Sequence, residues 1–270
     1  MPGPTRSPLP RSGRLVLWGN AFLVAGDSPD LVTEHAPAGD PLHRVVGVPG
    51  EDGPVSVAVA LGRLRAAGVT ALRLVLPEPG DPLGLPGPAA FTADAVTAGE
   101  VVLTVGTAQA PTLALLPSTA PSEAGDVVRW DVVPVAFSAP PHGLPTLSEA
   151  ERQLAETMTE ATTLLASSDL ARGRAEVADA LAALERRVSR LHLPATLPAR
   201  AQRAVVSAAR ILGILDIALG TPGADLTSSE TALRVETLRR LRAIARHALC
   251  AAVSALAEPE PVRKAWQAGR

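Results

Sequence analysis

Polar side chains follow three apolar runs that are typical of β-strands, and they are the first residues in the sequence that could bind a ligand. The residues concerned are Asn20, Glu51, Asp52, Glu78 and Asp81. In an open parallel sheet the loops that follow the strands lie at one edge, where ligands bind. We therefore expect a site in the loops at 49–54 and 77–90, suited to a cation, an amine or a polyhydroxylated ligand. Charged loops that are solvated and bind nothing are the alternative.

Two histidines and a carboxylate lie within nine residues of one another and could ligate a metal: His35, Asp40 and His43. Their spacing matches no standard zinc arrangement, and no third or fourth ligand is evident. We predict no metal site and no cofactor, and we interpret the histidines as surface or helix-end residues.

Arginines are concentrated on two helical segments in the second half of the chain. The candidates for an interaction surface are Arg186, Arg187, Arg190, Arg239, Arg242 and Arg246. Aliphatic rather than aromatic residues lie between them, so the stacking of nucleic-acid bases has little support. Solvated helical faces paired with glutamates are the other interpretation.

Several kinds of chemistry are excluded by what the sequence lacks. Lys264 is the only lysine, so there is no Walker lysine and no plausible Schiff-base lysine. Cys250 is the only cysteine, which excludes an internal disulfide and a four-cysteine zinc site. It lies in an apolar helical run and is predicted to be a buried helix residue. Nucleophile-elbow and zinc-protease motifs are absent as well.

Composition is that of a globular protein, with 270 residues of which 47% are hydrophobic and 2% aromatic. The net charge is −2, but residues 1–143 carry −5 and residues 144–270 carry +3. No apolar stretch of about 18 or more residues indicates a membrane span. We expect a cytoplasmic protein with no membrane contact.

The first half alternates between strand-like and helix-like segments. After a loose tail at 1–13, apolar runs at 14–18, 43–48, 70–76 and 101–105 alternate with helical patterns, and two further strands follow. This order predicts an open mixed sheet, mostly parallel, in an α/β domain at 14–138. The last strand contains Pro134 and alternates apolar with charged residues, which places it near a sheet edge.

The second half changes to helices. After a linker at 139–145, Thr146 and Glu149 form a capping box that opens the first of four helices. Long amphipathic segments joined by short Pro- and Gly-containing turns predict an antiparallel four-helix bundle at 146–257, followed by a tail at 258–270. The whole chain is therefore predicted to be of the α+β or α/β class, with a sheet domain followed by a helical bundle.

These observations support three hypotheses of function. The leading one is a non-catalytic protein that acts through a protein partner or self-association, as a regulatory or scaffolding module. The alternative is an enzyme or small-ligand-binding protein with its site at the acidic edge of the sheet, aided by a metal at His35 or His43. The third is arginine-dependent nucleic-acid binding by the bundle, although we do not expect a nucleic-acid partner.

Overall fold

The structure is a computed structural model that describes residues 7–40, 42–85, 87–120, 127–135, 145–167, 175–220 and 228–258. Those residues form eight α-helices and five β-strands, so the protein is of the α+β class. In chain order the elements are α1 (Arg11–Leu23), α2 (Pro29–His35), β1 (His43–Val46), α3 (Val57–Ala66), β2 (Val69–Val75), α4 (Ala89–Ala98), β3 (Val101–Gly106), β4 (Leu113–Ala120), β5 (Val127–Pro134), α5 (Leu147–Ser167), α6 (Ala175–Ser189), α7 (Ala199–Gly220) and α8 (Ser228–Val253).

The five strands form one mixed sheet in the order β1-β5-β4-β3-β2. Only β1 and β5 pair in parallel; the pairs β5–β4, β4–β3 and β3–β2 are antiparallel. The prediction of a mostly parallel sheet is therefore wrong. Strand order depends on pairing between distant segments, which the alternation of local patterns does not determine.

Residues 14–18 form part of a helix, where the sequence predicted the first strand of the sheet. Helix α1 also includes Arg11–Gly13, which the prediction assigned to the tail, and its residues from Ser12 to Ala21 are buried. A short apolar run does not distinguish a buried strand from a buried helix by periodicity. Gly19 allows close packing on the sheet, because a Cβ there would lie 2.7 Å from Leu72 Cδ1.

Strand β5 lies inside the sheet, between β4 and β1, so its predicted position near an edge is wrong. The predicted alternation is confirmed: Trp130 is fully buried, whereas Arg129 is exposed and pairs with Asp131. Pro134 is the last residue of the strand. Strand β1 pairs with β5 only as far as Asp131, so β5 has no ladder partner on that side at Pro134, and a proline is tolerated there as it is in an edge strand.

Helix starts that the sequence marked with caps are confirmed. The Ser28 side chain accepts a hydrogen bond from the backbone N–H of Asp30 at the start of α2. Before α5, the Thr146 backbone N–H donates to Glu149 Oε2 at 2.8 Å, and Glu149 N donates back to Thr146 Oγ1 at 3.3 Å. A second capping box, predicted at Thr227, lies outside the described residues.

Helices α5, α7 and α8 share one hydrophobic core with the sheet. Helix α8 packs against α5, α7 and β2, and α6 packs against α7. Cys250 is fully buried in α8, as predicted. These contacts describe the packing of neighbouring helices, and the antiparallel four-helix bundle stays a prediction. None of the helices in the described part of the chain is long and apolar enough to cross a membrane.

Candidate functional site

A cleft of about 730 Å³ lies between the N-terminal helices α1 and α2 and the helices α6 and α7. We call it the basic cleft, because arginines and histidines form much of its wall. Its volume is in the range of sites for small organic molecules. The residues that line it are Ser7, Pro8, Leu9, Arg14, Leu17, Trp18, Glu34, His35, Ala38, Ala180, Ala183, Arg186, Arg187, Arg190, Leu191, His192 and Ile217.

Three arginines form the cationic part of the α6 wall. Arg186 and Arg187 lie in the last turn of α6, and Arg190 directly follows its last residue. Their spacings of one, three and four residues place them on one side of the helix end. Within the described residues no acidic side chain forms an ion pair with any of them, whereas their neighbour Glu185 pairs with Arg210 at 2.8 Å. The Nε atom of Arg187 is buried and has no hydrogen-bond partner there. Like charges gathered without a counter-charge disfavour folding, and a bound anion would relieve that repulsion.

Aromatic rings form the facing wall. The rings of Trp18 and His35 are 4.2 Å apart between centroids, and His35 lies parallel to His192 at 5.9 Å. His35 belongs to α2, whereas His192 follows α6, so this stack joins the two sides of the cleft. Glu34 is the only acidic residue in the lining, and its side chain is exposed. The cleft is therefore cationic overall.

Arg14 also lines the cleft, but four hydrogen bonds already hold its guanidinium. Its guanidinium donates to the carbonyl oxygens of Leu9, Ala36 and Pro37 at 2.9 to 3.0 Å and to Asp40 at 2.5 Å. Only 7% of the residue is exposed. This side chain fastens α1 to the end of α2, and we assign it a structural role in shaping the cleft.

The predicted acidic edge of the sheet is not assembled. Strands β1 and β2 lie at opposite edges of the sheet and run in opposite directions, so the loops that follow them are separated. Glu51 pairs with Arg63 at 2.5 Å, and Asp52 is exposed. Asn20 lies in α1 rather than in a loop, and its side chain binds the backbone of Leu72.

The remaining two residues of that predicted site, Glu78 and Asp81, bind α8. Arg246 contacts Asp81 and the carbonyl oxygen of Leu76, and His247 Nε2 lies 2.7 Å from Asp81 Oδ2. Glu78 is paired with Arg242, which also reaches Asp216 at 2.8 Å. The proline-rich loop after β2 is therefore a docking element for α8.

The six arginine candidates consequently divide into two groups. Arg242 and Arg246 are held by the acidic residues of the loop, and Arg246 is 3% exposed. Arg239 lies on the same helix and is exposed. The α6 group instead lines the basic cleft. The structure therefore separates the two groups of arginines by their partners.

The three metal candidates are also divided. His35 lies in the basic cleft, whereas Asp40 and His43 belong to a buried network beside it, with 3.4 Å between Asp40 Oδ2 and His43 Nε2. Asp40 accepts from Arg11 and Arg14, and His43 Nδ1 lies 3.3 Å from Trp130 Nε1. No group of three or more His, Cys, Asp or Glu side chains suited to a metal occurs in the described ranges.

Burial also removes the single cysteine as a nucleophile, because it raises the pKa of the Cys250 thiol to about 12.

Sequence reasoning missed Trp18 and His192 as site residues. Each stands alone in the sequence, and His35 of α2, which packs against both rings, brings them together. The feature of the sequence that could have located the cleft is the arginine cluster of α6.

Comparison with known proteins matches two family profiles to successive parts of the chain. A family profile described as "Rv1486c-like protein, N-terminal domain" matches residues 12–146, and one described as "Rv1486c-like protein, C-terminal domain" matches residues 148–250. The chain belongs to the Rv1486c-like protein family. In this family member the basic cleft takes α1 and α2 from the first matched region and α6 and α7 from the second.

Two curated relatives come from Mycobacterium tuberculosis. "Uncharacterized protein Rv1486c" of strain H37Rv and "Uncharacterized protein MT1533" of strain CDC 1551 are each 28% identical to the chain over 286 residues. Both alignments cover 90% of this chain and 95% of the relative. No solved structure matches.

Proposed function

We propose that the protein is a binding module for a small organic anion, which it holds in the basic cleft. The observation that supports this most directly is the arginine group of α6, which faces a cleft of about 730 Å³ without an acidic partner among the described residues. Arginine binds carboxylates and phosphates through two parallel hydrogen bonds, so the group suits either anion.

The position of the arginines at the end of α6 has a second physical explanation, the helix dipole, which can be distinguished from anion binding. Basic side chains at the C-terminus of a helix stabilise it through the helix dipole. That effect accounts for a basic residue in the last turn. It does not account for the buried, unpartnered Nε of Arg187 or for the histidines that join the same cleft. An anion in the cleft would offset the charge of the three arginines that line it.

The proposal differs from the small-ligand hypothesis in its location. That hypothesis used carboxylates at the sheet edge, but Glu51, Glu78 and Asp81 have arginine partners of their own. The arginines of the basic cleft that have no acidic partner among the described residues are Arg186, Arg187 and Arg190, so the ligand that we propose is an anion rather than a cation or an amine.

Binding rather than catalysis is the role that we propose. The lining contains Ser7, His35 and Glu34, but Ser7 Oγ accepts from the backbone N–H of Leu9 at 3.2 Å, and among the described residues no hydrogen bond joins it to a histidine.

Thermal shift and titration calorimetry test the proposal with inorganic phosphate, acetate and glycerol phosphate as probes. We expect at least one anion to stabilise the protein, by about 2.7 kcal/mol at one hundred times its dissociation constant. The double variant Arg187→Gln/Arg190→Gln should lose that stabilisation. Arg203→Gln is the matched control, since Arg203 is exposed on α7 outside the cleft lining. Equal anion responses in the double variant and the control would refute the proposal.

The stability of the ligand-free variants provides a second criterion. A structural arginine costs stability when it is removed, because its partners are left unpaired. The cleft arginines have no such partners within the described chain, so Arg187→Gln should change the free energy of unfolding by no more than about 0.5 kcal/mol. A large loss of stability would show that Arg187 serves the fold.

A protein partner is the second candidate, and the exposure of the outer arginines favours it. Arg186 and Arg190 are exposed at the rim of the cleft, whereas Arg187 is half-buried. The rim would bind an acidic segment of another protein or of a second copy of this chain. Size-exclusion chromatography at low and high salt tests this. A complex or oligomer that dissociates with salt in the wild type, and is absent in Arg186→Gln/Arg190→Gln, supports this candidate.

A further inference from the structure

The α6 wall of the basic cleft changes in character along the helix. Ala180, Ala183, Arg187 and Arg190 follow one another at intervals of three, four and three residues, so they form one stripe. The first two are small and apolar, and the last two are cationic. The rise of an α-helix places about 10 Å between Ala180 and Arg187. The small side chains of Ala180 and Ala183 leave space for a ligand, which longer side chains at these positions would occupy.

Helix α7 adds an apolar residue to the half of the cleft that Ala180 and Ala183 line, which we call the alanine half. Leu184 packs over Gly213, and Glu185 pairs with Arg210, so α6 and α7 run in opposite directions along their contact. Continued along both helices, this pairing places Ile217 level with Ala180. Ile217 is also part of the cleft lining.

The opposite half of the cleft carries the ionisable groups. His192 follows Arg190 by two residues and stacks on His35, which in turn contacts Trp18. The histidine pair therefore lies at the arginine half and not at the alanine half. The cleft therefore has one cationic half and one apolar half.

From this arrangement we infer that the ligand is an amphiphilic anion: a carboxylate or phosphate monoester that carries an apolar body of about 10 Å. The acidic group binds Arg187 and Arg190, and the apolar body lies against Ala180, Ala183 and Ile217. This inference rests on the proposed function and adds the chemical class of the ligand. A purely hydrophilic anion would leave the apolar half solvated and would gain nothing from it.

A chain-length series measures the contribution of the apolar half. Acetate, butyrate, hexanoate and octanoate, each below its micellar concentration, are titrated calorimetrically into the wild type. Burial of one methylene group corresponds to about fourfold in affinity, so we expect a steady gain up to the length of the cleft. Hexyl phosphate beside hexanoate distinguishes the two acidic groups. Octanol, which has the same body without the charge, should bind far more weakly than octanoate.

Two variants of α6 assign the gain to the cleft. Ala183→Leu fills the apolar half and should remove most of the advantage of octanoate over acetate, while acetate affinity is kept. Ala182→Leu is the matched control: Ala182 is exposed on the same helix and does not line the cleft. Circular dichroism and urea unfolding establish that both variants fold.

The outcomes separate the inference from the proposed function. Affinity that does not change with chain length, or octanol that binds as well as octanoate, overturns the amphiphilic class. In that case anion binding that is lost in Arg187→Gln/Arg190→Gln still supports the proposed function. Absence of binding by every anion of the series overturns both.

Discussion

The side-chain amide of Asn20 forms both of the hydrogen bonds that the backbone of Leu72 offers on the free edge of β2. Asn20 Nδ2 donates to Leu72 O at 2.8 Å, and Leu72 N donates to Asn20 Oδ1 at 2.7 Å. Two residues along, Leu74 N donates to Ser254 Oγ at 2.9 Å. An edge strand otherwise presents unpaired backbone groups that attract other chains. Here side chains from α1 and from Ser254, the residue that follows α8, bind three backbone groups of that edge.

Asn20→Ala should destabilise the protein by about 2–4 kcal/mol, because it leaves a buried backbone N–H and a buried C=O without partners. Urea unfolding measures the change. Gln202→Ala is the control: Gln202 donates a single hydrogen bond, to Leu197 O at 2.8 Å, from a half-buried side chain, and its loss should cost about 1 kcal/mol or less. Equal effects in the two variants would show that the Asn20 amide does not close the strand edge.

Local signals in the sequence predicted individual helices well. Caps such as Thr146 with Glu149 name the residue where a helix begins, and an apolar face such as Val57, Ala60, Leu61 and Leu64 predicts which side of α3 is buried. Helix α1 escaped prediction because it is buried on all sides and therefore has no polar face to reveal its period. The order of the strands depends on which distant segments pair, and no local pattern contains that information.

The sequence likewise reveals those features of the candidate site that are local, and not those that depend on contacts between distant segments. Arg186, Arg187 and Arg190 stand out in the sequence because they are close together on one helix. Their position opposite His35 follows from tertiary packing across more than 150 residues. Glu51, Glu78 and Asp81, in the loops at 49–54 and 77–90, were predicted to bind a ligand, but they pair with arginines of α3 and α8.

Two helical glycines should respond in opposite directions to alanine. At Gly213 in α7 a Cβ would lie 2.8 Å from Leu184 Cδ2 and closer still to Cδ1, so Gly213→Ala forces α6 away or twists a buried leucine. We expect a loss of about 1–3 kcal/mol. At Gly62 in α3 a Cβ would meet nothing within 4 Å. Gly62→Ala should therefore stabilise the protein by about 0.5–1 kcal/mol through helix propensity.

Thermal unfolding and urea unfolding of both glycine variants measure this contrast. The Gly213→Ala variant also displaces the helix that carries the cleft arginines, so its affinity for the anions of the basic cleft should fall together with its stability. Stabilisation by both substitutions would contradict the close packing of α6 on α7.

The charged carboxylate of Glu100 should lower the free energy of unfolding at neutral pH. Burial raises the pKa of its carboxyl, and the hydrogen bond from the backbone N–H of Ser12, at 2.7 Å, and the charges of Arg11 and Arg14 offset this only in part. Between the ordinary pKa of about 4.3 in the unfolded chain and the higher value in the folded protein, the native state binds more protons. Stability therefore falls as the pH rises through that window.

Glu100→Gln removes this charge and keeps an oxygen that can accept from Ser12. The variant should be more stable than the wild type at pH 7, and the difference should disappear as the pH falls to about 4. Urea midpoints across the pH range measure it. Glu156→Gln, at an exposed position of α5, is the control and should leave the pH profile unchanged. A Glu100→Gln variant that is less stable than the wild type at pH 7 would contradict this prediction.

Asp81 should have the opposite dependence on pH. Burial acts to raise the pKa of its carboxyl, but the hydrogen bond from His247 and the charge of Arg246 outweigh burial and hold the pKa below its usual value. A depressed pKa in the folded state contributes stability that is present above the ordinary value of about 3.9. That contribution is lost as the pH falls through the lower value of the folded state.

Asp81→Asn should destabilise the protein at pH 7, because it weakens the attachment of the loop after β2 to α8. The same variant should lose less of its remaining stability than the wild type when the pH is lowered from 5 to 3. Urea midpoints at intervals across that range measure the slope for each protein. Asp94→Asn, on the exposed side of α4, is the matched control and should retain the wild-type slope. If Asp81→Asn and the wild type lose stability in parallel below pH 5, the carboxylate is not held by α8 in the way that the structure describes.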